Sequence, residues 1–160
     1  MPRVKREESE DLDRRIASSL KGQDRISLSD VAKSVGLSPS TVHERVVAMH
    51  GRGVILGYTA VLEKEKLGYG AGALLMLNVS SELDVEEIGQ QLASIPDIED
   101  VYEVGGEPDL VATVWATTLE DLRSFINEKI SKIPGVEDVT PLMLMRVYKK
   151  SGFTMPARKV

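Results

Sequence analysis

Six polar side chains crowd the stretch "SPSTVHERV": Ser38, Ser40, Thr41, His43, Glu44 and Arg45. Their chemistry is that of gripping and reading a nucleic acid. Small hydroxyls allow close approach and donate to phosphate oxygens, Arg45 suits a phosphate or a guanine edge, and Glu44 can accept from a cytosine amine. A solvated helix face has the same composition, so residue types alone leave both readings open. A second group, "GGEPD" from Gly105 to Asp109, combines two glycines whose backbone N–H groups can approach a carboxylate with an acid that can receive an ammonium. Those are the two charges of a free amino acid. A plain hairpin turn that needs glycine at positive φ explains the same pair.

Other chemistry is poorly supplied. The 160 residues contain no cysteine, which removes disulfides, thiol nucleophiles and thiolate metal sites. The two histidines, His43 and His50, both fall in the presumed reading segment, and no Ser/His/Asp arrangement can be placed. No catalytic residue, no metal and no cofactor is expected. An apolar share of 42% beside 28% charged residues describes a soluble globular protein. No run approaches the roughly 18 apolar residues of a membrane span, and "MPRVKREESEDLD" is charged where a signal peptide would be apolar. The expectation is a cytoplasmic protein with no membrane partner. The net charge of -5 argues against nucleic acid, but it is unevenly spread. Residues 1–57 hold 10 Lys/Arg against 8 Asp/Glu, and 58–160 hold 10 against 17, so two modules with different partners are indicated.

The elements that must position these groups follow from periodicity. Leu12, Ile16 and Leu20 make one apolar stripe on a helix over Asp11–Leu20, ended by Gly22. A short second helix takes Ser29 as N-cap, turns Val31, Ala32 and Val35 inward, and closes at Gly36. Ser38 as N-cap and Pro39 at the first helical position open a third helix, with Val42, Val46 and Met49 inward. A β-prone run between Gly53 and Gly57 and an extended piece at Tyr58–Leu62 follow. The domain reading is a helix-turn-helix domain over 1–57, a linker over 58–70, a sheet domain over 71–148 and a tail over 149–160 with no period, expected to be mobile.

Within the sheet domain, "IPDIEDV" at Ile95 recurs as "IPGVEDV" at Ile133. Each copy ends a helix, makes a Pro-marked turn and enters a strand. The helices carry Val85, Ile88, Leu92 and Ile95, with Asp84 and Glu87 as a capping pair, and Leu119, Leu122, Phe125, Ile126, Ile130 and Ile133 after the cap Thr118. Strand–helix–strand therefore occurs twice, which is the split βαβ unit of a ferredoxin-like sheet. Leu110, Ala112 and Val114 alternate with the largely apolar Val111, Thr113 and Trp115, and the strand expected over Val136–Tyr148 is apolar on both faces too. Two helices can cover only one face. The other is expected to meet a second copy of the chain, with Pro141 on an edge strand because it cannot donate to a ladder.

The run "LSDVAKSVGLSPSTVHERVVAMHGRGVILGYTAVL", followed by a βαββαβ module with "VGGEPDLV" and "KIPGVEDV", closely resembles the Lrp/AsnC family of leucine-responsive and asparagine-operon regulators. The resemblance covers nearly the whole chain. It implies an α+β protein with an N-terminal winged helix-turn-helix and a C-terminal ferredoxin-like, RAM/ACT-like domain. It further implies a transcription regulator that binds double-stranded DNA at a palindromic operator, pairs as a homodimer, often assembles to octamers, and senses an amino acid. The reading helix would be Ser38–His50. The effector region would be Gly105, Gly106, Glu107, Pro108 and Asp109, with Thr117, Thr118, Thr140 and Met143 near it, and Glu107 would favour a basic amino acid. The alternative function is an amino-acid-binding regulatory subunit that acts through protein contacts. In one respect the chain departs from the family. Where many members resemble Arg-x-x-Arg-Leu-Glu, this chain has Arg45, Ala48, Met49 and His50, so one phosphate contact is lost and the basic "PRVKR" segment at Pro2–Arg6 is expected to compensate.

Overall fold

A computed structural model describes residues 3–21, 25 and 27–156, with the side chains of 3–7 excepted. The chain divides into two compact units, one of the residues through Val61 together with those from Tyr148 on, the other Leu62–Val147. In the first, α1 (Arg3–Leu20), α2 (Leu28–Val35) and α3 (Pro39–Gly51) enclose a core of Ile16, Val31, Ala32, Val35, Val42, Val46 and Met49. Leu12 and Leu20 pack against it, as their spacing requires. Helix α1 begins earlier than its apolar stripe because its upstream Arg, Lys and Glu residues are good helix formers with no apolar period to announce them. The "PRVKR" side chains and Gly22 lie outside the described residues.

The cap of α2 is Ser27, not Ser29: its Oγ accepts from the Asp30 N–H at 3.3 Å. Both serines can cap, and the choice is made by Leu28, which packs on the core and so must already lie in the helix. Between α3 and the sheet, no strand forms among the described residues. Ile55 packs on the core, but Leu56 is 93% exposed, and the segment of the expected wing joins no ladder among the described residues. The tail contains a two-stranded hairpin, β5 (Lys149–Lys150) with β6 (Phe153–Thr154). Ser151 and Gly152 both have positive φ, 48° and 92°, the requirement of a type I′ turn, and the "SG" dipeptide was its sequence signal.

The second unit is one four-stranded antiparallel sheet in the order β2-β3-β1-β4, where β1 is Ala71–Val79, β2 Ile98–Glu103, β3 Leu110–Ala116 and β4 Val136–Met143. Two helices cover one face: α4 (Val85–Ala93), and α5 (Leu119–Phe125), which runs on as a π-helix over Ile126–Ile130. From Ala73 on, strand β1 alternates, with Ala73, Leu75 and Leu77 buried with Ile88, Leu92, Leu122, Ile126 and Ile130 in the core. Asp84 caps α4 by accepting from the Glu86 N–H, but the reciprocal capping box forms at Thr118 and Asp121 of α5. Strand β4 is shorter than its apolar pattern because its neighbour β1 ends. Leu144 still donates to Gly72 at 2.8 Å, beyond which little of β1 is left to pair. Pro141 sits on this edge strand, and the repeated Ile95 and Ile133 pack at the margin of the core as each helix ends.

On the face turned away from the helices, no helix of this unit lies over the sheet among the described residues. Tyr102, Val111, Met76 and Thr140 form one row across it, and Asp100, Thr113, Leu74 and Leu142 the next. At the adjoining row, the Trp115 ring lies so close to Gly72 that a Cβ built there would meet it at 2.7 Å.

Candidate DNA-reading helix and effector loop

The reading helix is set by three local devices. Gly36 at φ 73° turns the chain out of α2, and its N–H together with that of Leu37 satisfies carbonyls of the last turn. Ser38 then caps α3, its Oγ accepting from the Thr41 N–H at 3.2 Å and lying 2.9 Å from the Ser40 hydroxyl and 2.8 Å from that of Thr41. Val42, Val46 and Met49 anchor the inner face, which leaves Ser40, His43, Glu44 and Val47 exposed. Four of the six expected contact residues, Ser38, Ser40, His43 and Glu44, thus project from the first turns of one helix.

Arg45 is placed differently. It lies on the flank of α3 that faces α1, where its Nη1 donates to Asp13 Oδ1 at 2.8 Å and to Ser9 Oγ at 3.2 Å. Arg52, the C-cap residue two turns on, donates from Nη2 to the other Asp13 oxygen at 2.5 Å. Asp13 and Arg52 were not legible as functional residues, because Asp13 stands 32 and 39 residues from its two partners. Burial of the Asp13 carboxyl works to raise its pKa, but hydrogen bonds and charge from Arg52 and Arg45 outweigh it and hold it below its ordinary value of 3.8. A depressed pKa contributes stability that is complete above the ordinary value and is lost as pH falls through the folded one. Asp13→Asn is therefore expected to lower the stability of the helical unit by about 2 kcal/mol at neutral pH. Thermal unfolding should show the gap between variant and parent constant from pH 7 to 5 and closing below about pH 4.

In the second unit, the Gly105–Asp109 loop joins β2 to β3. Gly106 has φ 136° and the Glu107–Pro108 peptide is cis. Asp109 ties the loop to β1: its N–H donates to the Leu77 carbonyl at 3.1 Å and its Oδ2 accepts from the Val79 N–H at 2.8 Å. One carboxylate oxygen is thus spent on the sheet. The nine expected effector residues separate into two groups within one chain. Thr140 lies one row in from the loop, opposite Met76, whereas Thr117 and Thr118 lie at the other end of β3, about 20 Å away at 3.3 Å per residue. Met143 is opposite Ala73, toward that far end and in a helix-facing row. Thr118 is occupied as the α5 cap, with its Oγ1 2.7 Å from Asp121 Oδ2, and the Thr117 carbonyl accepts from Gly70. Thr117 also borders a cleft of about 330 Å³ walled by Tyr69, Trp115 and Phe125, in which Lys129 pairs with Asp97 at 3.0 Å.

Among the described residues, no group of three or more His, Asp or Glu side chains is placed to hold a metal ion, and no helix is long and apolar enough to cross a membrane. A model of the Lrp/AsnC ligand binding domain matches residues 72–152, and one of the AsnC-type helix-turn-helix domain matches residues 10–50. The HTH-type transcriptional regulator FL11 of Pyrococcus horikoshii is 31% identical over 142 residues, which span 89% of this chain and 93% of the relative. The structure of AsnC from E. coli resembles this one with a TM-score of 0.71 at 25% identity, over 89% of this chain and 96% of the other. A transcriptional regulator of Neisseria meningitidis solved as a complex with L-Met shares the fold, with a TM-score of 0.73 at 20% identity over 91% and 94% of the two chains.

Proposed function

The chain belongs to the Lrp/AsnC family of helix-turn-helix transcriptional regulators, and from that premise we propose that α3 reads the major groove while the sheet unit pairs two copies and binds an amino acid. The observation that carries this reading is the polarity of α3. Val42, Val46 and Met49 are consumed by the core, and Ser38, Ser40, His43 and Glu44 remain at the end of the helix that enters a groove. Two such helices in a dimer stand about one DNA turn, roughly 34 Å, apart, so the operator is a palindrome. The dimer face is the uncovered side of the sheet, which presents Leu74, Met76, Val111, Trp115 and Leu142. Association of such dimers gives octamers. The role is regulatory and not enzymatic, and its place is the cytoplasm, where the DNA is.

The effector site is the Gly105–Asp109 loop. Its glycine N–H groups meet an α-carboxylate, and the Asp109 oxygen not bonded to Val79 receives an α-ammonium. Glu107, exposed beside them, favours a basic side chain. Thr117, Thr118 and Met143 reach the same ligand only from another copy of the chain, since their own lie at the far end of the sheet.

Two measurements test the reading. Retention of duplex DNA should fall steeply as salt rises, and no retention at any salt would favour action through protein contacts. A thermal-shift screen against the twenty amino acids should single out one or a few, because a ligand at about 100 times its dissociation constant adds roughly 2.7 kcal/mol. Equal shifts with lysine, glutamine and leucine would remove the role given to Glu107.

A further inference from the structure

The cations of the reading helix are already paired before DNA arrives. Arg45 is the only arginine in α3, which has no lysine, and Arg52 is its C-cap residue. Seven residues apart, the two guanidinium groups lie on one flank and converge on a single carboxylate, one on each oxygen of Asp13. The Asp13 side chain is only 12% exposed, whereas Arg45 and Arg52 are 29% and 54% exposed. They border an open cleft of about 460 Å³ between α1 and α3, with Thr41 and Ala48 on its wall. An α-helix with its side chains is about as wide as the major groove, so a helix seated there has a phosphate strand along each flank. The flank that holds these arginines therefore lies where phosphates pass, and an anion of the chain itself already engages them.

We propose that Asp13 is an internal stand-in for a DNA phosphate, which holds Arg45 and Arg52 and so lowers the affinity of the reading helix for duplex DNA of any sequence. The proposal rests on the reading that α3 enters the major groove. The geometry suits a competition. Arg52 donates to Asp13 through Nη2 and to the Ala48 carbonyl through Nε, and Arg45 contacts Asp13 and Ser9 through Nη1. Each guanidinium keeps further donors toward solvent, but the one Asp13 carboxylate offsets half of the positive charge that the two arginines could bring to DNA. The remaining exposed positions of α3 add an acid, Glu44, and no lysine or arginine, so the brake acts on most of the positive charge this helix owns.

The test is the salt dependence of binding to a duplex of random sequence, measured by fluorescence anisotropy with the full chain. For Asp13→Asn, the slope of log affinity against log salt should steepen by about one unit, because the variant uncovers one positive charge, worth about 0.9 when it meets a phosphate. Between 50 and 200 mM salt the variant then loses about three- to fourfold more affinity than the parent. Arg52→Gln alone should flatten the slope by about half a unit, because the carboxylate shared with Arg45 offsets half of that charge, whereas Arg52→Gln in the Asp13→Asn background should remove about one unit. The single Arg52→Gln measurement stands even if Asp13→Asn does not fold. A folded Asp13→Asn protein with an unchanged slope or weaker binding would overturn the proposal, as would loss of a full unit on Arg52→Gln alone. Absence of duplex binding by the parent would instead remove the DNA-reading assignment and this inference with it.

Discussion

Leu74→Asp is expected to turn the proposed dimer into a monomer while leaving the sheet unit folded. Leu74 lies mid-sheet on the central strand β1, flanked by Thr113 on β3 and Leu142 on β4, on the side away from α4 and α5. It is not part of the buried core, so a carboxylate there costs the isolated chain little more than the strand preference of leucine over aspartate, about 1 kcal/mol. In a symmetric pair the same change places two carboxylates in an apolar interface and removes them from water without partners. That penalty is several kcal/mol, enough to weaken association by 100-fold or more. Sedimentation equilibrium at micromolar concentration measures the loss directly, and circular dichroism reports whether the fold persists. A parent protein that sediments only as a monomer would refute the assignment of this face.

Leu75→Ala, one residue along, should do the opposite and damage the fold itself. The pleat turns Leu75 to the other side, where it is fully buried among residues of β1, β3, α4 and α5. Its neighbours across the sheet are Ala112 and Pro141, one too small and one too rigid to close the space left behind. The expected cost is in the upper part of the usual range for such a truncation, about 3–5 kcal/mol. Against a total stability of roughly 5–15 kcal/mol this is a large fraction, and it will appear as a lower denaturant midpoint with the slope retained. A shift below about 1 kcal/mol would mean that the sheet and helices pack less closely than their alternation indicates. The two variants together read the two faces of one strand.

Much of this molecule is local, and the local part was legible. Val42, Val46 and Met49 recur at helical spacing and Leu110, Ala112 and Val114 at strand spacing, so the buried side of each element could be named before the elements were assembled. Gly36, Ser38 and Pro39 act within a few residues of themselves, which is why the turn and the start of α3 were readable. The repeated Ile-Pro motif marked two helix–strand junctions for the same reason. Where two local signals competed, as at Ser27 and Ser29, the core decided through Leu28. The extent of β4 was likewise settled by its neighbour, since a strand lasts only as long as its partner, and no strand forms between α3 and β1 among the described residues.

What an amino-acid sequence determines alone is therefore which side of each element is apolar and where each begins and turns, because those preferences act over one or two helical turns. Tertiary structure alone decided which distant charges meet. Nothing in the spacing of Asp13, Arg45 and Arg52 joins them; the packing of α1 against α3 does, and it turns the arginine expected to contact DNA toward an internal carboxylate. It also set Thr140 opposite Met76, in the row that Val111 shares next to the Gly105–Asp109 loop, because the register of β4 on β1 joins residues 64 positions apart.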